Sequence, residues 1–246
     1  MTKILAHRGS AGTHPENTFA SYQAAIDAGS DGIEIDVHVT KDGELVVLHD
    51  ATVNRTTNGV GYVKDFSVAE IKQLDAGSWF SEAFTGEQIP TLKEVLAFIA
   101  QTNLLLNIEL KNVTIAYDGI EAEVIRLVKA YQLTNQVILS SFNHISLHMI
   151  SERHPEINCA ILTLDKQFAP WDYAKAVGVS GIHAQWSKME LQTIAEAQQR
   201  NYPVRLYTVN REDVMEALIK NKVDTIITDF PEKACEIRAR IEETRV

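Results

Sequence analysis

What most narrows the folds open to this chain is an alternation, kept up from the first residues to the last, of short apolar strand-like runs and amphipathic helix-like segments. KILAHRG leads into NTFASYQAAIDAG, where Phe19, Tyr22, Ala25 and Ile26 recur at helical spacing and Asn17 stands where a helix cap belongs. GIEIDVHVT follows, then the hairpin-like KDGELVVLHD, a polar stretch and the helical TLKEVLAFIA. The unit recurs as LLLNIELK with IEAEVIRLVKAYQ, VILSSFN with HISLHMISERH, and NCAILTL with PWDYAKAVG. GIHAQW with MELQTIAEAQQRN, PVRLYTV with REDVMEALIKN, and DTIITDF with EKACEIRARIEE complete eight strand–helix units in 246 residues. Strands that alternate with helices imply a parallel sheet. Eight units at this length predict a closed (β/α)8 TIM barrel rather than an open doubly wound sheet.

One stretch breaks the rhythm. Residues 51–89, after the second strand, are too long for an ordinary connection and carry Trp79, Phe80 and Phe84 among glycines and charges. Such a length predicts a functional excursion, here a cap-like insertion over the top of the barrel. Composition stays even elsewhere, with no low-complexity tract or linker, so residues 1–246 read as one domain. At 45% hydrophobic residues the chain can bury a large core.

Charge and motif absences exclude several classes. The formal net charge is −10 and no Lys/Arg stripe is present to displace phosphate counterions, which excludes nucleic acid as a main partner. Neither GxGxxG nor GxxxxGK[ST] occurs, so a nucleotide-binding sheet lacks its usual support. The two cysteines, Cys159 and Cys235, have no metal-site or CxxC spacing and read as small packed thiols, which fits a reduced cytoplasmic setting. A strand begins by Lys3 and no run of about 18 apolar residues follows, so the expectation is a soluble, unexported protein without membrane insertion.

On a barrel strand the placement of polar residues acquires meaning. In GIEIDV the residues Ile33, Ile35 and Val37 share one face, and Glu34 and Asp36 the other. With the apolar face toward the helices, the carboxylates point inward. A wet acidic face is the alternative, but parallel strands are covered on both sides. Two carboxylates near the axis repel and are poorly solvated, a conflict that a divalent cation resolves. Glu109 in NIELK repeats the arrangement, sharing a face with Asn107 and Lys111. Three oxygen ligands without clustered Cys or His suit Mg²⁺ or Ca²⁺ rather than zinc.

His7 and His49 each follow an apolar run, ILA and LVVL, which places them at the C-terminal rim where barrel enzymes carry their chemistry. Imidazole titrates near neutral pH, so one ring can act as base and the other as acid. Singly, either histidine reads as structural; paired beside three carboxylates, they read as a phosphodiesterase site. His14, His38, His144, His148 and His154 have weaker claims, and His183 is a further candidate for the rim.

These residues carry a family resemblance. HRG at 7–9, PENT at 15–18, GIEIDVHVTKDGELVVLHD at 32–50, IPTLKEVL at 89–96, NIELK at 107–111, SSFN at 140–143 and ITDFP at 227–231 resemble the glycerophosphodiester phosphodiesterase family, in its order and over nearly the whole chain. The resemblance implies a (β/α)8 barrel with an insertion after the second strand, and hydrolysis of a small-molecule glycerophosphodiester to an alcohol and glycerol 3-phosphate. It implies His7 and His49 as the acid/base pair, Glu34, Asp36 and Glu109 as ligands of one divalent cation, and Arg8 and Lys111 as phosphate contacts. Tyr207 in LYTVN departs from the Trp that relatives often carry there and bears on the alcohol-side wall. Trp79, near the return of the insertion, is expected either to contact the glycerol end of the substrate or to anchor the insertion by packing. A related barrel acting on lysophospholipids, or a non-catalytic phosphate-binding barrel, are the competing readings. The assignment of acid and base, the native metal, the alcohol, the oligomeric state, and the choice between direct water attack and a cyclic phosphate all stay open.

Overall fold

The computed structural model describes residues 1–244. Among the described residues nine strands form one sheet: β1 (Lys3–His7), β2 (Gly32–Val39), β3 (Leu45–Val47), β4 (Leu105–Leu110), β5 (Val137–Ser141), β6 (Asn158–Thr163), β7 (Gly181–Gln185), β8 (Val204–Tyr207) and β9 (Thr225–Thr228). Eight of them run parallel, and β1 pairs with both β2 and β9, which closes the barrel. The outer ring is α1 (Phe19–Asp27), then, after the short α2 (Val68–Ile71), α3 (Leu92–Ile99), α4 (Ile120–Ala130), α5 (His144–Arg153), α6 (Pro170–Val177), α7 (Leu191–Gln199), α8 (Glu212–Lys220) and α9 (Pro231–Glu243). The eight expected strand–helix units are all present.

Local chemistry explains the boundaries. Thr91 and Glu94 form a reciprocal capping box that starts α3, and Pro170 and Pro231 begin α6 and α9, where a missing N–H costs nothing. The outward strand residues Ile33, Ile35, Val37, Leu106 and Ile108 are buried with the helices' apolar faces in one core. Each such side chain contributes about 1.5–3 kcal/mol relative to exposure. The inward face of the same strands is left to polar groups.

Two local expectations need correction. Thr18, not Asn17, caps α1, in a capping box with Ser21. Asn17 sits at φ 57, a left-handed conformation that asparagine tolerates, and its side chain is buried against Asp36. His49 is not at the end of a barrel strand. Strand β2 continues beyond its pairing with β4, and its last three residues pair antiparallel with β3, Val37 opposite Val47 and Val39 opposite Leu45. The hairpin therefore delivers His49 back to the rim on its returning arm, where the Leu48 N–H bonds the Asp36 carbonyl.

The long segment 51–89 has a small core of its own. Val53, Val63, Ile71, Ala76 and Ile89 pack with Val46 and Leu48 of the hairpin arm. Asp75 ties its tip by accepting from the N–H groups of Gly77, Ser78 and Gly86. Phe84 meets the ring of His14 at 5.1 Å, so the segment lies against the β1–α1 loop.

Candidate active site

Strand register brings the polar residues together. His7 is opposite Glu34 across β1 and β2, and Asp36 is opposite Glu109 across β2 and β4. One oxygen from each of Glu34, Asp36 and Glu109 lies within 4.8 Å of the others. Cations surround them: the Arg8 N–H donates to Glu34 Oε2 at 3.1 Å, and Arg8 Nε lies 3.3 Å from Asp36 Oδ2. Lys111 Nζ bonds Glu109 Oε1 at 2.8 Å and lies 3.5 Å from Asp36 Oδ1. Arg8 adopts φ 56, outside the regions usual for such a side chain, a distortion of about 1–3 kcal/mol that concentrates at functional sites.

The electrostatics are uneven. Burial, with the charges of Asp36 and Glu109 beside it, pushes the Glu34 carboxyl well above the usual carboxylate range. Burial and Asp36 also raise Glu109, against the opposing pull of Lys111. Burial acts on Asp36 in the same direction, but Lys111 and Arg8 outweigh it and hold that carboxyl below its ordinary value. Asp36 Oδ1 is buried without a hydrogen-bond donor. An all-oxygen donor set with crowded carboxylates and an unsatisfied buried oxygen fits a hard divalent cation.

Each histidine is anchored through Nδ1. His7 Nδ1 lies 2.6 Å from Asp229 Oδ1, and the Asn210 side-chain amide donates to the other oxygen of Asp229 at 2.5 Å. His49 Nδ1 lies 2.7 Å from Asp50 Oδ1, which Arg55 holds in turn. A carboxylate at Nδ1 makes that nitrogen the donor and leaves Nε2 free for proton transfer. Burial lowers the pKa of His49, while Asp36 opposes the shift. His38 is structural: burial lowers it to about 4, and its ring spans the Tyr117 hydroxyl and the His49 carbonyl. His183 is buried and neutral, lowered by burial and by Arg205, which donates to its Nε2 at 3.3 Å.

These groups line a cleft of about 280 Å³ that holds His7, Arg8, Glu34, His49, Glu109 and Lys111, with His183 and Tyr207 on its wall. The Tyr207 hydroxyl donates to the Thr163 carbonyl at 2.7 Å, and its ring meets Phe142 edge-on. A trough of about 510 Å³ adjoins it, sharing His49, Glu109, Lys111, Phe142 and Leu164. Trp79 lines neither; its Nε1 donates to the Ala76 carbonyl at 2.9 Å and its ring packs on Phe80. Among the described residues of the insertion, only Ala51 lines either hollow.

Sequence reasoning did not assign Glu16, Asn17, Asp50, Arg55, Asn210 or Asp229 to the site. Asp229 carried a usable signal: it follows the apolar TIIT just as His7 follows ILA.

Comparison with known proteins identifies the family. Residues 7–233 match the model of the glycerophosphoryl diester phosphodiesterase family. A glycerophosphodiester phosphodiesterase of Caldanaerobacter subterraneus subsp. tengcongensis is 43% identical, the match covering 94% of this chain and 95% of that one. Another, of Bacillus altitudinis, is 40% identical over 97% and 98% of the two chains. Among solved structures, a phosphodiesterase of Oleispira antarctica in complex with the product sn-glycerol-3-phosphate superposes with TM-score 0.84 at 32% identity, over 98% of this chain and 97% of that one. With 227 consecutive positions from His7 to Lys233 under the family model and relatives matched over nearly their full length, the chain belongs to the glycerophosphoryl diester phosphodiesterase family.

Proposed function

We propose that this chain hydrolyses glycerophosphodiesters to an alcohol and glycerol 3-phosphate, using His7 and His49 as the acid/base pair and Glu34, Asp36 and Glu109 to hold a divalent cation, Mg²⁺ or Ca²⁺. The observation that carries the reading is the pairing of two imidazoles, each anchored through Nδ1 by a carboxylate, at one cleft with three carboxylates, Arg8 and Lys111. A divalent cation, when bound, supplies charge that offsets the negative charge growing on the phosphoryl oxygens. Arg8 and Lys111 hold the remaining phosphoryl oxygens, the first as a planar fork and the second as a point charge. One imidazole takes the proton of the attacking oxygen through Nε2, and the other protonates the departing alkoxide, a poor leaving group when free. Phe142 and Tyr207, with Leu162, Leu164 and Ile227, form the apolar part of the wall and limit water at the reacting centre.

A second reading, action on lysophospholipids, is favoured by one observation. The adjoining trough is lined by Val113, Phe142 and Leu164, and Val113 and Leu164 stay 61% and 59% exposed at the rim. Among the described residues no helix is long and apolar enough to cross a membrane. A cytoplasmic setting is supported by the two free cysteines, Cys159 and Cys235.

The test is a panel of glycerophosphodiesters, read by release of glycerol 3-phosphate after chelation and after return of each metal, with glycerophosphocholine compared against its lyso-lipid parent by release of choline, the product common to both. Loss of activity in chelator with recovery in Mg²⁺ or Ca²⁺ supports the metal. Full activity in excess chelator refutes it, and no glycerol 3-phosphate from any substrate refutes the function.

A further inference from the structure

One residue of the insertion is bonded to the carboxylate partners of two groups at the cleft. Arg55 donates from Nε to Asp50 Oδ2 at 2.9 Å and from Nη2 to Asp50 Oδ1 at 3.1 Å. Its outer edge serves a second carboxylate, Nη1 to Glu16 Oε2 at 2.7 Å and Nη2 to Glu16 Oε1 at 2.8 Å. Both carboxylates are shared with groups at the cleft. Asp50 Oδ1 is the partner of His49 Nδ1 at 2.7 Å, and Glu16 Oε1 accepts from Arg8 Nη1 at 2.9 Å. The line therefore runs His49, Asp50, Arg55, Glu16, Arg8, and Arg8 lies against Asp36.

We propose that Arg55 is a positioning residue that sets two groups of the site at once, the His49 imidazole through Asp50 and the Arg8 guanidinium through Glu16. The proposal rests on His49 and Arg8 having the roles given above.

An exposed ion pair contributes little, because water competes and two long side chains must be held in one geometry. Arg55 differs in two respects. Each carboxylate is held by two bonds from a planar guanidinium, an arrangement that fixes direction as well as distance. Glu16 is also largely buried, its side chain 11% exposed, so water substitutes poorly for the lost donors. Both carboxylates are kept ionised despite burial, Glu16 by Arg55 and Arg8, and Asp50 at about 2 by Arg55 and His49.

Without Arg55, Asp50 keeps its place in the chain beside His49 but regains rotation of its side chain, so the acceptor at Nδ1 loses its direction. Glu16 likewise ceases to hold Arg8 over Asp36. The first loss bears on proton transfer and the second on phosphate binding. His7 has a separate anchor: among the described residues no hydrogen bond joins Asp229 or Asn210 to Asp50, Arg55 or Glu16. The two imidazoles thus have separate carboxylate anchors at Nδ1, which makes the proposal testable by coupling.

The experiment measures kcat, KM and melting temperature for Arg55→Ala, Arg55→Lys, Asp50→Asn, Asp229→Asn and His49→Ala, with the doubles Arg55→Ala/Asp50→Asn and Arg55→Ala/Asp229→Asn. Arg55→Ala should lower kcat about 10²-fold, the effect of a small misplacement of a reacting group, and should raise KM as well. Arg55→Lys should recover little of either, since one ammonium cannot span two carboxylates. Millimolar guanidinium ion should return part of the rate to Arg55→Ala and none to Arg55→Lys, a recovery that a general loss of stability would not show. Adding Asp50→Asn to Arg55→Ala should lower kcat little further, whereas adding Asp229→Asn should multiply the two losses. If Arg55→Ala does not fold, Arg55→Lys and its two doubles carry the same comparison. Wild-type kcat and KM in Arg55→Ala, or equal additivity with Asp50→Asn and Asp229→Asn, overturns the positioning role alone if His49→Ala is inactive. An active His49→Ala overturns the acid/base reading and the positioning role with it.

Discussion

Glu34→Gln removes one charge from a buried set of three carboxylates while keeping the side-chain shape, and it should stabilise the chelated protein while reducing the stability gained from a divalent cation. Without the cation, burial and the charges of Asp36 and Glu109 hold the Glu34 carboxyl well above its ordinary value. A carboxyl that binds its proton more tightly in the folded state favours folding while protonated, and that advantage disappears as pH rises through the raised value. At neutral pH glutamine avoids the cost of ionisation, so in chelator the variant should melt above the wild type. From the cation the wild type gains more. Binding to the native state alone stabilises by about 2.7 kcal/mol when free metal is 100 times Kd. For a chain of this size, at roughly 2–4 °C per kcal/mol, that is a rise of about 5–11 °C for the wild type. A tenfold weaker site reduces the gain to about 1.4 kcal/mol at the same metal concentration, or about 3–6 °C. Differential scanning calorimetry in chelator and in graded Mg²⁺ or Ca²⁺ measures all four states. Equal metal-induced shifts in the two proteins, or a chelated variant that melts below the chelated wild type at neutral pH, would refute the argument.

Three further outcomes are expected. His7→Ala and His49→Ala should each lower kcat by about 10²–10⁴-fold with little change in melting temperature; near-normal turnover by either single variant removes that residue from the mechanism. Trp79→Ala should lose about 1 kcal/mol of stability as a packing anchor and keep wild-type kcat and KM, since Trp79 lies off the cleft on Phe80; a raised KM in a stable variant would place it at the substrate instead. Asn17→Ala should lose about 1–3 kcal/mol by taking a donor from the buried Asp36 carboxylate, and Asn17→Gly, which adopts the left-handed conformation freely, should recover the backbone part of any loss and none of the hydrogen-bond part.

The barrel was legible because its signal is local and repeated. Each strand must satisfy helices on one side, and each helix must show the barrel an apolar stripe, so the pattern recurs every unit whatever the loops do. The inward carboxylates were legible for the same reason, since a two-residue period assigns Glu34 and Asp36 to the face opposite Ile33 and Ile35. His49 marks the limit. Its apolar lead-in, LVVL, looks like that of His7, but β3 pairs with a single strand of the sheet, β2, and runs antiparallel to it. Distinguishing a returning arm from a barrel strand requires knowing which neighbours it pairs with, and composition does not encode that. Arg55 and Glu16 were illegible for a further reason: they are 39 residues apart and meet because two loops fold against each other at the rim. Asn17 was misread as a cap because the same short polar side chain suits a helix start and a left-handed turn, and only the neighbouring Thr18 and Ser21 decide between them.

The two histidines therefore rest on different kinds of support. His7 ends β1, and its partner Asp229 directly follows the end of β9, the strand paired with β1, so the closed sheet itself sets their separation. His49 stands on an arm outside the ring of parallel strands, and what holds it are the His38 ring beneath its carbonyl, Asp50 beside it, and the guanidinium of Arg55. Closing the barrel fixes the first imidazole, but the second needs the hairpin and the start of the insertion to be folded as well. A loss of order confined to residues 51–89 should then cost activity through His49 while leaving His7 and the three carboxylates in place, which ties the insertion to the site.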